Sequence, residues 1–335
     1  MTAREKAIAG FLAAHGWDQA VLSPLAGDAS FRRYLRAARG GETAVVMDAP
    51  PPETVAPFVR VAGMLADLGL SVPKVLASDP AAGLLLLEDF GDSTFSAMLA
   101  DGADESVLSR LAVDVLIAKD RAAGSVSELP HYDDARALEG VSRFTDWYVP
   151  AVLGERLPAA AVDAFLEGWR TLMPVARAVP TTLVHFDFHI DNLMALEDRT
   201  GTARCGLLDF QDAVSGPVTF DLVSLLQDAR RDVPPPLAAE LTARYLAAFP
   251  DLDRIAFDAS YSVLGAQRAT RIIGTFTRLD RRDGKPGYLR HIARVWGWLE
   301  QDLKHPALAG MKDWFDAHLP EAHRLTPAPA SGQAA

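Results

Sequence analysis

The apolar pattern of the chain changes character near residue 90, and this change limits the folds that the chain can adopt. Before that point, short strand-like runs alternate with turn residues. Residues 31–36 and 44–47 flank Gly40-Gly41, which predicts a hairpin with a glycine turn. Beyond that point, apolar residues recur at helical spacing over long stretches. We therefore expect an α+β chain with a small β-rich N-terminal part and a larger, mainly helical C-terminal part.

Individual elements follow from the same spacing. A helix is predicted over 55–68 with Gly69 ending it, and further strands are predicted over 72–77 and 84–87. In the C-terminal part, helices are predicted over 107–118, 144–153, 161–178, 220–229, 237–249, 257–279 and 289–303. Residues 183–210 interrupt this series, because their pattern is typical of two short strands and their loops.

Composition narrows the classes of partner. The 335 residues include 33 Lys and Arg against 44 Asp and Glu, a net charge of −11. Duplex binding relies on basic side chains, so a nucleic-acid partner is not expected.

No apolar run reaches the roughly 18–20 residues of a membrane span. The single Cys205 cannot form an intramolecular disulfide, which fits the cytoplasm. The segment 326–335, made of small residues, Pro and Gln, is expected to be a disordered tail.

The densest group of polar residues lies in two stretches, HFDFHIDN at 185–192 and LLDFQD at 207–212. The residues between them are predicted to form a hairpin about a turn at 198–201. Closing a hairpin brings its two ends together. Asp209 is therefore expected to arrive beside Asn192 and Asp187.

Three of these side chains match the needs of phosphoryl transfer from ATP. That reaction uses a carboxylate to accept the proton of the substrate hydroxyl, and an amide and a second carboxylate to hold Mg²⁺. Asp187, Asn192 and Asp209 supply these groups, and four residues separate Asp187 from Asn192, as in the protein kinase catalytic loop. A lone Asp or Asn in a turn more often bonds its own backbone. Three such groups together would be costly without a cation, which favours the catalytic interpretation.

A hydrolytic metal centre is the second interpretation of the same stretch. If residues 185–189 formed a strand, His185, Asp187 and His189 would share one face as ligands, with Asp209 as a bridge. Such centres usually use more histidines, and the remaining histidines of the chain do not form a ligand-like cluster. The metal centre therefore stays the less favoured alternative.

Further motifs lie at 27–34 (GDASFRRY), 46–51 (VMDAPP), 209–213 (DFQDA), 216–217, 221–226 and 267–279. On these motifs, residues 27–298 resemble the aminoglycoside phosphotransferase and choline kinase-like superfamily, and within it the bacterial anomeric sugar kinases of cell-wall recycling. The resemblance implies a protein kinase-like two-lobe fold. It implies a nucleotide-binding lobe over 1–87, a hinge over 88–92 and a helical lobe over 93–325.

The same resemblance implies a reaction and its central residues. The chain would use ATP and Mg²⁺ to phosphorylate the C1 hydroxyl of N-acetylmuramate, N-acetylglucosamine or both, in peptidoglycan recycling in the cytoplasm. Asp187 would be the base, Asn192 and Asp209 the Mg²⁺ ligands, and Asp221 a brace for the catalytic loop.

Nucleotide and sugar contacts are implied for a wider set of residues. The phosphates would meet Gly27, Ser30, Arg32 and Arg33, and adenine would meet the hinge backbone from Glu88 to Phe90. The sugar would meet His189, Asp212, Arg268 and Arg271. One of these arginines could pair with the lactyl carboxylate of N-acetylmuramate, although surface ion pairs on a long helix are an equally good interpretation.

Two departures from the family pattern bear on activity. Met47 stands where related kinases carry an ATP-clamping lysine, and the helix over 55–68 has no glutamate to pair with one. Either Arg32 or Arg33 supplies the positive charge, or the chain is a non-catalytic nucleotide-binding pseudokinase. An aminoglycoside, choline or an amino alcohol as acceptor would keep the same chemistry, and an acidic pocket beyond Asp212 would support such a cationic acceptor.

Overall fold

The computed structural model describes residues 1–25, 32–122, 126 and 128–330. The chain divides into two compact units, which are described separately. The first unit comprises Met1–Ala122 and Ile190–Ala213, and the second comprises Ala123–His189 and Val214–Ala335. No helix among the described residues is long and apolar enough to cross a membrane.

Strands and helices are numbered in chain order. The strands are β1 (Val21–Pro24), β2 (Arg33–Arg39), β3 (Glu42–Asp48), β4 (Val75–Asp79), β5 (Leu84–Glu88), β6 (Thr181–Val184), β7 (Leu193–Ala195), β8 (Cys205–Leu207) and β9 (Val214–Pro217). The helices are α1 (Ala3–Ala14), α2 (Ala56–Asp67), α3 (Phe95–Ala100), α4 (Glu105–Ala122), α5 (Asp134–Arg143), α6 (Val149–Leu153), α7 (Ala159–Ala176), α8 (Thr219–Leu226), α9 (Pro235–Ala248), α10 (Arg254–Asp283), α11 (Ile292–Asp302) and α12 (Ala309–His318).

An antiparallel five-stranded sheet forms the centre of the first unit, in the order β1-β2-β3-β5-β4. The hairpin of β2 and β3 turns at Gly40-Gly41, as predicted, and these residues have φ of 52° and 87°. Glycine adopts such angles without strain, which explains the residue choice at the turn. Helix α1 packs on the sheet. Their shared core consists of Ile8, Phe11, Leu12, Trp17, Ala37, Ala44, Val46, Leu84 and Leu86.

The hairpin of β7 and β8 belongs to the first unit. The Leu207 N–H donates to Ser71 O at 2.8 Å, and Ser71 Oγ donates to Ala203 O at 2.7 Å. Helix α4 packs on β8 and on the 3₁₀ turn Gly201–Arg204. Through these contacts the first unit includes α3, α4 and the hairpin, which a boundary at 88–92 would assign to the C-terminal lobe.

Helix α10 is the central element of the second unit, where it contacts α5, α7, α8 and α11. A cluster of aromatic rings lies in the same core. The ring centroids of Phe165, Trp296 and Phe315 lie 5.9, 5.8 and 5.6 Å from that of Phe144. Aromatic pairs at such distances stabilise a core beyond the area that they bury.

Several helices differ from their predicted extents. The stretch 144–153 is a π-helical turn, Phe144–Tyr148, followed by α6, since Pro150 has no N–H with which to continue an α-helical ladder. The helix predicted over 220–229 ends at Leu226. The short helices α3, α5 and α12 were not predicted, because helices of 6 to 10 residues offer few repeats of the helical period.

Residues 326–330 lie against the C-terminal end of α10. Arg281 donates to Ala328 O at 2.7 Å, and the Ala330 N–H donates to Asp280 at 3.1 Å. Pro327 is buried. The prediction of a disordered tail is therefore wrong for residues 326–330, whose backbone groups accept and donate these hydrogen bonds. The other residues of the predicted tail, 331–335, lie outside the described residues.

Gly274 marks the closest approach of α10 to the chain at 143–144. A Cβ added there would lie 2.4 Å from Arg143 C and 2.4 Å from Phe144 N. Because backbone atoms cannot swing aside, Gly274→Ala is expected to lower the free energy of unfolding by about 3 kcal/mol, measured by urea denaturation. Gly297→Ala in α11 is the control, since its Cβ meets no atom within 4 Å. An unchanged midpoint for Gly274→Ala would contradict this packing.

Candidate active site

Strand β6 leads into the first group of candidate residues, in the second unit. Its ladder with β9 ends where Val184 pairs with Val214. The next two N–H groups, of His185 and Phe186, donate to the carboxylate of Asp221 on α8 at 2.8 and 3.1 Å. Charge-assisted bonds from two successive N–H groups hold this loop to the helix. The brace implied for Asp221 is confirmed.

The loop backbone turns sharply at Phe186, whose φ of 83° lies in the left-handed region that bulky residues rarely adopt. Residues 185–189 consequently do not continue β6. The less favoured alternative, a hydrolytic metal centre, required a strand over residues 185–189, and it is therefore wrong for this segment. Within the described ranges, no group of three or more His, Cys, Asp or Glu side chains could hold a metal ion.

The hairpin of β7 and β8 brings Asn192 and Asp209 together in the first unit, as predicted. Leu193 pairs with Leu207, and the Leu208 N–H donates to Asn192 O at 2.9 Å. Asn192 and Asp209 therefore flank the paired ends of the hairpin. An amide oxygen and a carboxylate are hard donors of the type that Mg²⁺ prefers, so these two residues fit a magnesium ion.

Asp209 has an unusual backbone and a defined partner. Its φ is 59°, and together with Phe186 it makes up the non-glycine residues of positive φ in the described part of the chain. Such strain tends to occur at functional sites. Asp209 Oδ1 accepts a bond of 2.7 Å from Nε2 of the buried Gln211, which orients the carboxylate. Sequence reasoning did not single out Gln211, although it stands within the DFQDA motif.

Phe210 connects this hairpin to α2. Its fully buried ring packs against Phe58 with the ring centroids 4.7 Å apart. The position of the neighbouring Asp209 thus depends on the packing of α2.

Met47, at the position where related kinases carry an ATP-clamping lysine, lies in β3. Met47 is buried, and the adjacent Asp48 is 0% exposed. Asp48 forms ion pairs with Arg4, at 2.5 Å, and with Arg33. A buried carboxylate needs such compensation, so Arg33 is engaged in a structural role.

Arg32, the other arginine expected at the phosphates, pairs with Glu53 at 2.7 Å, and its side chain is 12% exposed. Helix α2 contains no glutamate, but Glu53 stands shortly before that helix. An Arg–Glu pair therefore lies beside β3, the strand that carries Met47. The sequence signal for this pair was a glutamate that stands before α2 instead of within it. The expected phosphate contacts Gly27 and Ser30 lie outside the described residues.

Residues 88–90 follow β5. Glu88 pairs with Arg199 at 2.5 Å, and the guanidinium of Arg199 lies 5.0 Å from the centre of the Phe90 ring. Phe90 also covers Gly206, where a Cβ would lie 2.7 Å from the ring. Arg199 and Gly206, from the β7–β8 hairpin and its turn, therefore hold the side chains of Glu88 and Phe90 in place.

His189 is buried in the second unit. Its burial, followed by the charges of Arg230 and Arg268, holds the pKa of its imidazole well below the ordinary value of 6.5. His189 is thus neutral near pH 7. The backbone N–H of His189 donates to Asp187 O at 3.1 Å, so His189 lies on the same loop turn as the candidate base.

Arg268 on α10 is 4% exposed, so a surface ion pair is a wrong interpretation for it. Its Nη1 donates to Gln227 O at 2.9 Å. Burial, and then Arg271, lower the pKa of its guanidinium to about 10, against the opposing charges of Asp228 and Asp187. The charge of Arg268 thus lies within electrostatic reach of Asp187.

Arg271, almost one turn further along α10, lies over the Phe186 ring, with its guanidinium carbon 4.7 Å from the ring centre. It forms no ion pair with any described residue, so the surface ion-pair interpretation is wrong here too. Asp212 belongs to the first unit and is exposed. Of the four residues expected at the sugar, His189, Arg268 and Arg271 thus share the second unit with Asp187.

The chain is similar to known proteins over most of its length. Residues 21–257 match the family described as "Phosphotransferase enzyme family". A Caulobacter vibrioides protein named N-acetylmuramate/N-acetylglucosamine kinase is 40% identical, over 95% of this chain and 97% of the relative. A Pseudomonas aeruginosa protein of the same name is 38% identical over 92% of each chain.

Solved structures show the same fold at lower identity. One, from Ralstonia eutropha and provisionally named an aminoglycoside phosphotransferase, has a TM-score of 0.64 at 17% identity, over 90% of this chain and 97% of that one. A choline kinase from Streptococcus pneumoniae has a TM-score of 0.57 at 12% identity, over 92% and 99%. The α+β, protein kinase-like fold predicted from the sequence, with a small antiparallel sheet and a larger helical part, is confirmed.

Proposed function

Because this chain belongs to the phosphotransferase enzyme family, we propose that it transfers the γ-phosphoryl group of ATP to the C1 hydroxyl of N-acetylmuramate, N-acetylglucosamine or both. The observation that carries the proposal is its similarity, over nearly its whole length, to relatives named for these two sugars. The reaction belongs to the cytoplasmic recycling of peptidoglycan sugars.

Asp187 accepts the proton of the acceptor hydroxyl as its oxygen attacks phosphorus. The bonds from His185 and Phe186 to Asp221 support this role, since they fix the backbone immediately before Asp187. A base held in one direction accepts the proton without first having to be ordered, which lowers the entropic part of the barrier.

Asn192 and Asp209 would hold Mg²⁺, which when bound neutralises charge on the phosphates. The bond from Gln211 to Asp209 Oδ1 supports this assignment, because an oriented carboxylate is a better ligand than a mobile one. The backbone between Glu88 and Phe90 would meet adenine.

Arg32 supplies the positive charge that the absent lysine would bring to the phosphates. Its pair with Glu53 supports this choice, since the glutamate holds the guanidinium as a clamp glutamate holds a lysine. Arg33 is a weaker candidate, because its guanidinium already compensates the buried Asp48. Gly27 and Ser30 would add contacts to the phosphates.

The charges near Asp187 favour an acceptor without positive charge. Arg268 is buried within electrostatic reach of Asp187, and Arg271 lies against the preceding residue. Bringing an aminoglycoside or choline to these guanidinium groups would place like charges together, which disfavours cationic acceptors. His189 is neutral and can hydrogen-bond a sugar hydroxyl. Asp212 is a further candidate for a sugar contact.

The test is ATP consumption by the purified protein with Mg²⁺ and a panel of acceptors: N-acetylmuramate, N-acetylglucosamine, glucose, kanamycin and choline. We expect turnover with the two N-acetylated sugars. Turnover with kanamycin or choline alone would keep the kinase chemistry and discard the sugar. ATP binding without turnover on any acceptor would favour a non-catalytic nucleotide-binding protein.

A further inference from the structure

Two arginines from different helices lie against the ring of Phe186, the residue that precedes Asp187. The guanidinium carbon of Arg271 on α10 lies 4.7 Å from the centre of the Phe186 ring, and that of Arg136 on α5 lies 5.1 Å from it. Each contact is a cation–π interaction, which holds a planar guanidinium in a defined place. Two positive charges thus lie against one aromatic side chain.

Neither guanidinium has an acidic partner in the described part of the chain. The Nε of Arg271 is buried and makes no hydrogen bond there. Clustered guanidinium groups repel each other, and an unmet buried donor costs about 1–3 kcal/mol. An anion bound beside the Phe186 ring would therefore meet two positive charges and an unmet donor.

The acidic side chains of α5 are engaged elsewhere. Asp134 pairs with Arg177 at 2.5 Å, and Glu139 pairs with Arg143 at 3.0 Å. No carboxylate of this helix is thus directed at Arg136.

Tyr132 provides a second polar group at this place. It is 3% exposed, its hydroxyl has no hydrogen-bond partner within the described ranges, and its ring centroid lies 6.2 Å from that of Phe186. Its burial raises the pKa of the hydroxyl to about 12, against the charges of Arg271, Arg136 and Arg177. The hydroxyl therefore stays protonated at neutral pH and can donate a hydrogen bond.

We infer that Arg136 and Arg271 bind a carboxylate of the acceptor sugar and make the enzyme prefer an acidic amino sugar to its neutral counterpart. The inference rests on the proposed function. N-acetylmuramate carries a lactyl carboxylate that N-acetylglucosamine lacks, and guanidinium groups match carboxylates in charge and shape. Arg136 thereby becomes a specificity-determining residue that sequence reasoning did not identify.

The test compares kcat/KM for the two sugars in the purified full-length protein and in Arg136→Gln and Arg271→Gln variants. Each variant loses one charge-assisted contact. This loss is expected to lower the ratio of kcat/KM for N-acetylmuramate to kcat/KM for N-acetylglucosamine about 10- to 100-fold. Arg143→Gln is the matched control, because this arginine also lies on α5 and pairs with Glu139. The ratio of the two kcat/KM values in Arg143→Gln should stay at the wild-type value.

Further acceptors and variants separate recognition from folding. Arg136→Lys retains the charge and should restore part of the ratio, and an N-acetylmuramate with a carboxamide in place of its carboxylate should be used equally by wild type and Arg136→Gln. An unchanged ratio in both glutamine variants, with an active wild type, would overturn this inference alone. A wild type inactive on both sugars would overturn the proposed function and this inference with it.

Discussion

Asp187→Asn is expected to reduce kcat about 10²- to 10⁴-fold while ATP binding stays near the wild-type value. The substitution keeps the size and shape of the side chain but removes the carboxylate that we propose accepts the proton of the sugar hydroxyl. Turnover is measured by ATP consumption with N-acetylmuramate, and ATP affinity by calorimetry on the same preparation.

Asp198→Asn is the matched control for this experiment. Asp198 is exposed in the turn between β7 and β8, so the same chemical change there should leave kcat and ATP affinity unaltered. Near wild-type kcat in Asp187→Asn would contradict the assignment of the base.

Asp209→Asn is expected to lower turnover by about 10³-fold or more, because a neutral amide would replace the charged group proposed as a metal ligand. Asparagine is the substitution of choice, since it tolerates the left-handed backbone of φ 59° better than alanine does. The measurement is initial rate against Mg²⁺ concentration, with saturating ATP and sugar.

The Mg²⁺ titration separates the role of Asp209 from general damage. A ligand role predicts that the Mg²⁺ concentration at half-maximal rate rises sharply, while the urea midpoint changes little. An Mg²⁺ titration superimposable on that of the wild type would exclude Asp209 as a ligand.

Local sequence was sufficient to predict the parts of the site that are close in the chain. Hairpin closure alone brings Asn192 next to Asp209, because the strands between them pair directly. The glycine turn at Gly40-Gly41 was predictable for the same reason, since only the turn residues and flanking strands determine it. Such elements depend on few long-range contacts.

Contacts between distant elements could not be predicted from spacing. The bonds to Asp221 join residues 35 and 36 positions apart, and the family resemblance rather than periodicity pointed to that carboxylate. The place of Arg136 over Phe186 depends on how α5 packs, and α5 itself was missed. The burial of Arg268 was equally hidden, because an arginine on a helix is exposed by default.

The central claim is that the phosphoryl group is transferred to C1, and phosphorus NMR of the product formed from ATP and N-acetylmuramate tests it most directly. The account predicts one phosphorus signal coupled to H1 of the sugar, in a product that has lost its reducing end. A phosphate coupled to protons of another carbon, in a sugar that still reduces, would contradict it.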